Sequence, residues 1–252
     1  IDKNEISWIA SGGKIYKCDS TAHVIREYEL SSESGKSPTV NSIYVDSGGS
    51  VWVLSYAGLF KYDLHTDSFV GYPQLEKGNS FFTMFQDSSG NYWIGTWGEG
   101  LWQFFPDKAG EECYKRHHVL NPRSGETEPI FFSMTQDDTF GYLWLLSYGG
   151  LYALEYTGEG TLKQVDIHDL VDTQMMYTRI RKDKKREGNL WLASYDMAYT
   201  IFFDNSNIDN YPLRQFKEQT GWDANLLNLC LDGDNVLWMS QDRYGLCLYG
   251  WS

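Results

Sequence analysis

The sequence has no apolar run approaching the roughly 18 residues a membrane-spanning helix needs, so no stretch of it reads as a span. Basic residues are scarce. Lys and Arg number 21 against 34 Asp and Glu, which leaves a formal net charge of −13. A nucleic-acid binder needs a basic footprint over the phosphates, so that class is excluded. The one basic run, Arg179 to Glu187, reads as a solvated hairpin turn. Cysteine is sparse too: Cys18, Cys113, Cys230 and Cys247 form no C-x-x-C pair. They read as structural thiols, and no disulfide pairing is assigned. The five histidines are scattered, and His117-His118 reads as loop rather than as a ligand pair. Neither a metal nor a cofactor is expected. Phosphate-loop, HExxH and GxSxG patterns are absent, as is any N-x-[ST] sequon, which argues against a eukaryotic secreted origin. The chain opens on Ile1 with no signal peptide and reads as an excerpt of a longer precursor, so the missing signal says nothing about export.

What is abundant is aromatic. Phe, Trp and Tyr make up 16% of the 252 residues, alongside 24 glycines and only six prolines. The tryptophans are periodic. Trp8, Trp52, Trp93, Trp144, Trp191 and Trp238 each follow a short polar turn and lie 41 to 51 residues apart. Six residues before the anchor stands an aspartate in five copies: Asp2, Asp46, Asp87, Asp138 and Asp232. The fifth copy has Lys185 there, with Asp183 two residues earlier. Turn residues fill the gap, as in "SGGSV" and "SSGNY". Fixed-period self-similarity of this length signals a repeat architecture.

Each copy has the same plan. A strand precedes the aspartate and alternates apolar residues (Ile43, Met84, Met134, Ile180, Leu229) with small or polar ones (Ser42, Thr83, Ser133, Arg179, Asn228). The anchor opens a second strand that ends in a small polar residue. After a glycine-bearing turn, a third strand begins at Gly58-Leu59, Gly100-Leu101, Gly150-Leu151 or Gly245-Leu246. A fourth short segment closes most copies. One four-stranded sheet cannot bury both faces alone, whereas radial stacking buries sheets against each other. The expected fold is therefore an all-β propeller of four-stranded antiparallel blades, residues 1–252 forming one segment of six repeat copies. The first and last copies hold three strands each, which reads as an arc cut from a larger array.

The stretch from Asp87 to Leu101, D-x-x-G-x-x-W-I-G-T-x-x-x-G-L, resembles the two-component regulator propeller repeat. The likeness runs through all six copies and is weakest at Trp8 and Trp191. It implies the periplasmic sensor region of a Bacteroidetes hybrid two-component system, tied to a membrane only through flanking segments absent here. It also implies a response to oligosaccharides from polysaccharide breakdown.

The signature Asp and anchor Trp need only structural roles: the aspartate accepts from the turn's own amides, and the tryptophan is an apolar plate between blades. The residue four after the anchor differs. It reads Tyr56, Trp97, Tyr148 and Tyr195 in the middle copies, Gly12 and Asp242 at the ends. This turn shares a face with the long connections between blades, and loops on a rigid scaffold commonly carry binding. Two readings stand: the turn aromatics pack on the adjacent blade, or part of the arc stacks on sugar rings with Glu99, Asp196, Trp222, Asp242 and Arg243 as neighbours. The function classes are then a ligand sensor for a small carbohydrate, a protein-interaction scaffold that pairs as a homodimer, and a glycan-active enzyme. The last needs two carboxylates across a cleft, and no constellation singles out such a pair.

Overall fold

The computed structural model describes residues 2, 4–11, 13–30, 38–72, 80–157, 160–167, 176–183, 189–194, 198–202, 214–215, 226–231, 236–241 and 245–250. They form six antiparallel sheets and group into two units.

The first unit spans residues 1–118 and 129–131. Its first sheet is β1 (Ser7–Ser11), β2 (Lys14–Cys18) and β3 (Val24–Glu29). Its second is β4 (Val40–Val45), β5 (Val51–Ser55), β6 (Gly58–Asp63) and β7 (Ser68–Gly71). Its third is β8 (Phe81–Gln86), β9 (Tyr92–Thr96), β10 (Leu101–Phe104) and β11 (Tyr114–His117). The second unit spans residues 119–128 and 132–252. It contains β12 (Ser133–Gln136), β13 (Leu143–Ser147), β14 (Gly150–Tyr156) and β15 (Leu162–Val165). Next come β16 (Tyr177–Lys182), β17 (Asn189–Ser194), β18 (Ala198–Phe202) and β19 (Arg214–Gln215). The last sheet is β20 (Leu226–Leu231), β21 (Val236–Gln241) and β22 (Gly245–Gly250). Each sheet is an up-and-down meander in sequence order, which is the blade of a β-propeller. Within each unit the first strands of successive blades are neighbours: β4 beside β8, and β12, β16 and β20 in turn.

The anchors do what an apolar plate requires. Trp52, Trp93, Trp144 and Trp191 are all at most 1% exposed. Trp52 lies among Leu59, Met84, Ile94 and Phe104 between the second and third blades. Trp144 lies among Leu151, Tyr177, Ile180 and Leu192 between the fourth and fifth. Their indole N–H groups would be costly to bury unpaired. Each donates to the aspartate of its own turn: Trp8 to Asp2 at 2.9 Å, Trp52 to Asp46 at 2.9 Å and Trp93 to Asp87 at 2.8 Å. The same carboxylates accept turn amides, as Asp46 does from Ser50 at 2.8 Å. Trp191 reaches Asp183 at 3.3 Å, so the displaced aspartate of the fifth copy keeps the role.

Three sequence expectations are corrected. In the fourth blade the latch is Asp137, not Asp138. Asp137 takes the Trp144 indole at 2.8 Å and the amides of Thr139, Phe140 and Tyr142. This turn is one residue longer than in the second and third blades, so the acceptor steps back by one. Second, His117 is not loop. It ends β11, buried against Trp93, with ring centroids 5.4 Å apart. Third, Arg179 and Arg181 of the basic run are not in a solvated turn. They lie half-buried on β16, the first strand of its blade.

Candidate functional site: the turn aromatics and a cleft beside Tyr148

In the second, third and fourth blades the small polar residue that ends the second strand locks the turn after it. Ser55 Oγ donates to the Gly58 carbonyl at 3.0 Å and accepts the Ala57 amide at 3.1 Å. Thr96 does the same with the Gly100 carbonyl and the Glu99 amide, both at 2.9 Å. Ser147 accepts the Gly149 amide at 2.7 Å. Gly58 and Gly150 close the turn at φ 136° and 131°, which only glycine adopts without strain. The buried hydroxyl holds the inside of the turn, so the next side chain points out. Tyr56 is 52% exposed, Trp97 40% and Tyr148 51%.

Two of these rings have a partner the sequence reading did not anticipate. Phe82 packs at 5.5 Å from Trp97, and Phe132 at 5.4 Å from Tyr148. Both stand five residues before the latch aspartate. In four blades the register slips here, between Val40 and Ser42, Phe81 and Thr83, Tyr177 and Arg179, and Leu226 and Asn228. The recurrent bulge leaves Phe82 outside the ladder and turns it toward the aromatic of its own blade's turn. An aromatic at this position was the available signal. In the second blade the position is Asn41, whose amide donates to the Phe81 carbonyl at 2.8 Å.

Glu99 sits in the Trp97 turn but is tied to Arg116 at 2.6 Å, and that guanidinium lies over Trp102. Both partners are substantially exposed, so the pair adds little stability. Trp102 itself is buried, as its third-strand position implies. Tyr195, Asp196, Trp222, Asp242 and Arg243 lie outside the described residues.

One inter-blade connection is fully described, and it is a tight hairpin rather than an open loop. Asn121 N–H donates to the Glu126 carbonyl and Glu128 N–H to the Val119 carbonyl, at 2.8 and 2.7 Å. Its clamp is the Glu128 carboxylate, which is buried and accepts the Tyr152 hydroxyl at 2.8 Å and the Asn121 amide at 3.3 Å. Burial, reinforced by that bond to Glu128, pushes the Tyr152 hydroxyl well above its usual range and keeps it a donor. Gly149 makes room: a Cβ there would stand 2.1 Å from Glu128 Oε2. The hairpin roofs a cleft of about 240 Å³ lined by Pro122, Arg123, Gly149, Tyr152, Gln164 and Asp166. Tyr148, the residue before the lining glycine Gly149, is 51% exposed and packs on Phe132. The cleft thus offers apolar walls, a carboxylate, a guanidinium and the amide of Gln164, whose N–H donates to the Leu120 carbonyl at 3.1 Å. Among the described residues no group of three or more His, Cys, Asp or Glu is placed to hold a metal ion.

Residues 76–98 match the model of the two component regulator propeller family. No curated protein matches the chain in sequence. Among solved structures, the chain is similar to the extracellular domain of a putative hybrid two component system from B. thetaiotaomicron: 17% identity, TM-score 0.71, 100% of this chain and 32% of that one. It is also similar to PorZ, a surface component of the type-IX secretion system of Porphyromonas gingivalis, at 19% identity and TM-score 0.73, covering 97% and 37%. A third likeness is to virginiamycin B lyase from Staphylococcus aureus, at 14% identity and TM-score 0.70, covering 98% and 77%. The chain spans about a third of the first two proteins. At these identities the likenesses show the propeller fold, which sensors, surface components and a lyase share.

Proposed function

We propose that this chain is a ligand-sensing propeller segment of a periplasmic sensor in a hybrid two-component protein, and that its ligand is a small oligosaccharide. The family match at residues 76–98 supports the sensor role, as does the likeness to an extracellular domain of a hybrid system. The observation that carries the ligand class is the cleft beside Tyr148. An exposed aromatic face can cover the C–H face of a pyranose, while Arg123, Gln164 and Asp166 are placed to satisfy its hydroxyls. Pockets of this kind combine apolar walls with a few placed polar groups. Trp97 in the other unit is a second stacking face of the same design.

The test is isothermal titration against a panel of neutral plant and host oligosaccharides, followed by the Tyr148→Ala and Gln164→Ala variants. Binding in the wild type that falls at least tenfold in both variants supports the reading. No binding across the panel, or binding indifferent to both changes, overturns the assignment of this cleft. Cleavage of any panel member would favour the glycan-active enzyme instead.

A further inference from the structure

The fifth blade departs from the repeat at two positions. Where the other first strands carry Ser42, Thr83, Ser133 or Asn228, it carries Arg179, and two residues on it carries Arg181. Residues two apart on a strand point to the same face, so β16 presents two guanidiniums side by side. Both are half-buried. Burying a cation is costly unless a counter-charge accompanies it, and two neighbouring cations add repulsion.

No carboxylate answers them among the described residues. Arg179 donates from Nη1 to the Thr178 carbonyl at 2.9 Å. Arg181 donates from Nη1 to the Ile180 carbonyl at 2.8 Å and to Ser133 Oγ at 3.2 Å. Each guanidinium carries five N–H donors, so most of this capacity meets no protein acceptor among the described residues. Desolvation lowers the basicity of both side chains, and for Arg181 the neighbouring Arg179 lowers it further. Around them are Ser133 on β12, which also accepts the Ile180 amide at 3.1 Å, and Cys230 on β20. These are first strands of successive blades, and in a propeller such strands border the central channel. The chain as a whole is acidic, and of the three cations on this strand Lys182 is answered by Asp138, whereas Arg179 and Arg181 meet no carboxylate among the described residues.

We propose that Arg179 and Arg181 form a binding site for one oxyanion group, a carboxylate, sulfate or phosphate, at the inner strand of the fifth blade. The unused N–H donors supply paired, directional contacts of the kind guanidinium gives to such groups. The anion supplies the counter-charge the strand lacks. This site is separate from the cleft beside Tyr148 and takes charge rather than a neutral sugar face.

The test uses the full 252-residue chain. Sulfate, phosphate and acetate are titrated separately by calorimetry at constant ionic strength held with chloride, so that general salt effects cancel. Saturable binding of at least one of the three, weakened at least tenfold by Arg179→Gln and by Arg181→Gln, is expected. The Tyr148→Ala variant should bind the anion unchanged, which separates this proposal from the sugar reading. The three anion arms identify which oxyanion is preferred. Absence of saturable binding for all three, or equal affinity in the Gln variants, overturns the proposal. Should a Gln variant fail to fold, arginine side-chain Nε–Hε resonances of the wild type decide. Two such signals must move saturably with the anion, and none moving overturns the proposal.

Discussion

The indole of Trp144 donates to Asp137 at 2.8 Å, while Asp138, the next residue, pairs across to Lys182. Adjacent, chemically identical side chains thus have separate tasks. One is buried and holds five N–H donors; the other is exposed. Asp137→Ala should cost about 3 kcal/mol, since it strands buried donors that bonded to a charge. Asp138→Ala should stay within about 0.5 kcal/mol. Urea unfolding of the two variants checks this, and equal losses would contradict the latch assignment.

Stability should fall on mild acidification, and His117 should be the reason. Burial lowers its pKa from 6.5 to about 4, helped by Lys115 and His118. The folded state therefore binds the proton less readily than the unfolded chain does. The neutral ring's contribution is complete above pH 6.5 and is lost as pH falls toward 4. The expected loss is on the order of 2–3 kcal/mol. A series of unfolding curves between these pH values should flatten in His117→Gln.

Acid has a second effect at lower pH. Burial acts to raise the pKa of Asp46, but the hydrogen bonds from Trp52, Tyr92 and Ser50 outweigh it and hold the carboxyl below 3.8. Its contribution is present above that value and disappears as pH drops through the lower folded one. Asp46→Asn should remove that part of the acid transition, as read by tryptophan fluorescence.

Trp93 and Trp97 are four residues apart and should respond to truncation with losses of very different size. Trp93→Ala empties a buried site and should cost about 3–5 kcal/mol. Trp97→Ala removes a ring 40% exposed and should cost about 1 kcal/mol or less. Melting temperatures separate them. A collapse in Trp97→Ala would make the turn ring a packing residue.

Gly95 is a backbone contact rather than a turn. A Cβ there would stand 2.4 Å from the Phe131 carbonyl oxygen, and the Phe131 amide donates to Thr96 at 3.1 Å. Gly95→Ala must push that segment off β9 and should cost about 1–3 kcal/mol. Faster hydrogen exchange at the Phe131 amide would mark the displacement.

The blade plan was legible because it is periodic. The anchor Trp, the turn aspartate, the Gly-Leu entry and the exposed aromatic recur at nearly fixed offsets. The structure puts Tyr56, Trp97 and Tyr148 where that pattern requires. What broke the period was misread. The longer turn before Trp144 hid which of two aspartates serves, because spacing alone cannot see a hydrogen bond. Arg179 and Arg181 looked like part of a solvated charge run, although their alternation already placed Arg179 on a first strand. The cleft was not legible at all. It joins Arg123, Gly149, Tyr152 and Gln164 from separate segments, and no local pattern announces such a meeting.

The bond between Trp93 and Asp87 spans only six residues of chain. Closing so short a loop costs little entropy, and local contacts of this kind are the ones that speed folding. Each blade can therefore set its own strand register before it meets a neighbour. A nascent chain emerging in order would stack blades whose turns are already fixed, and the slow step would be their docking.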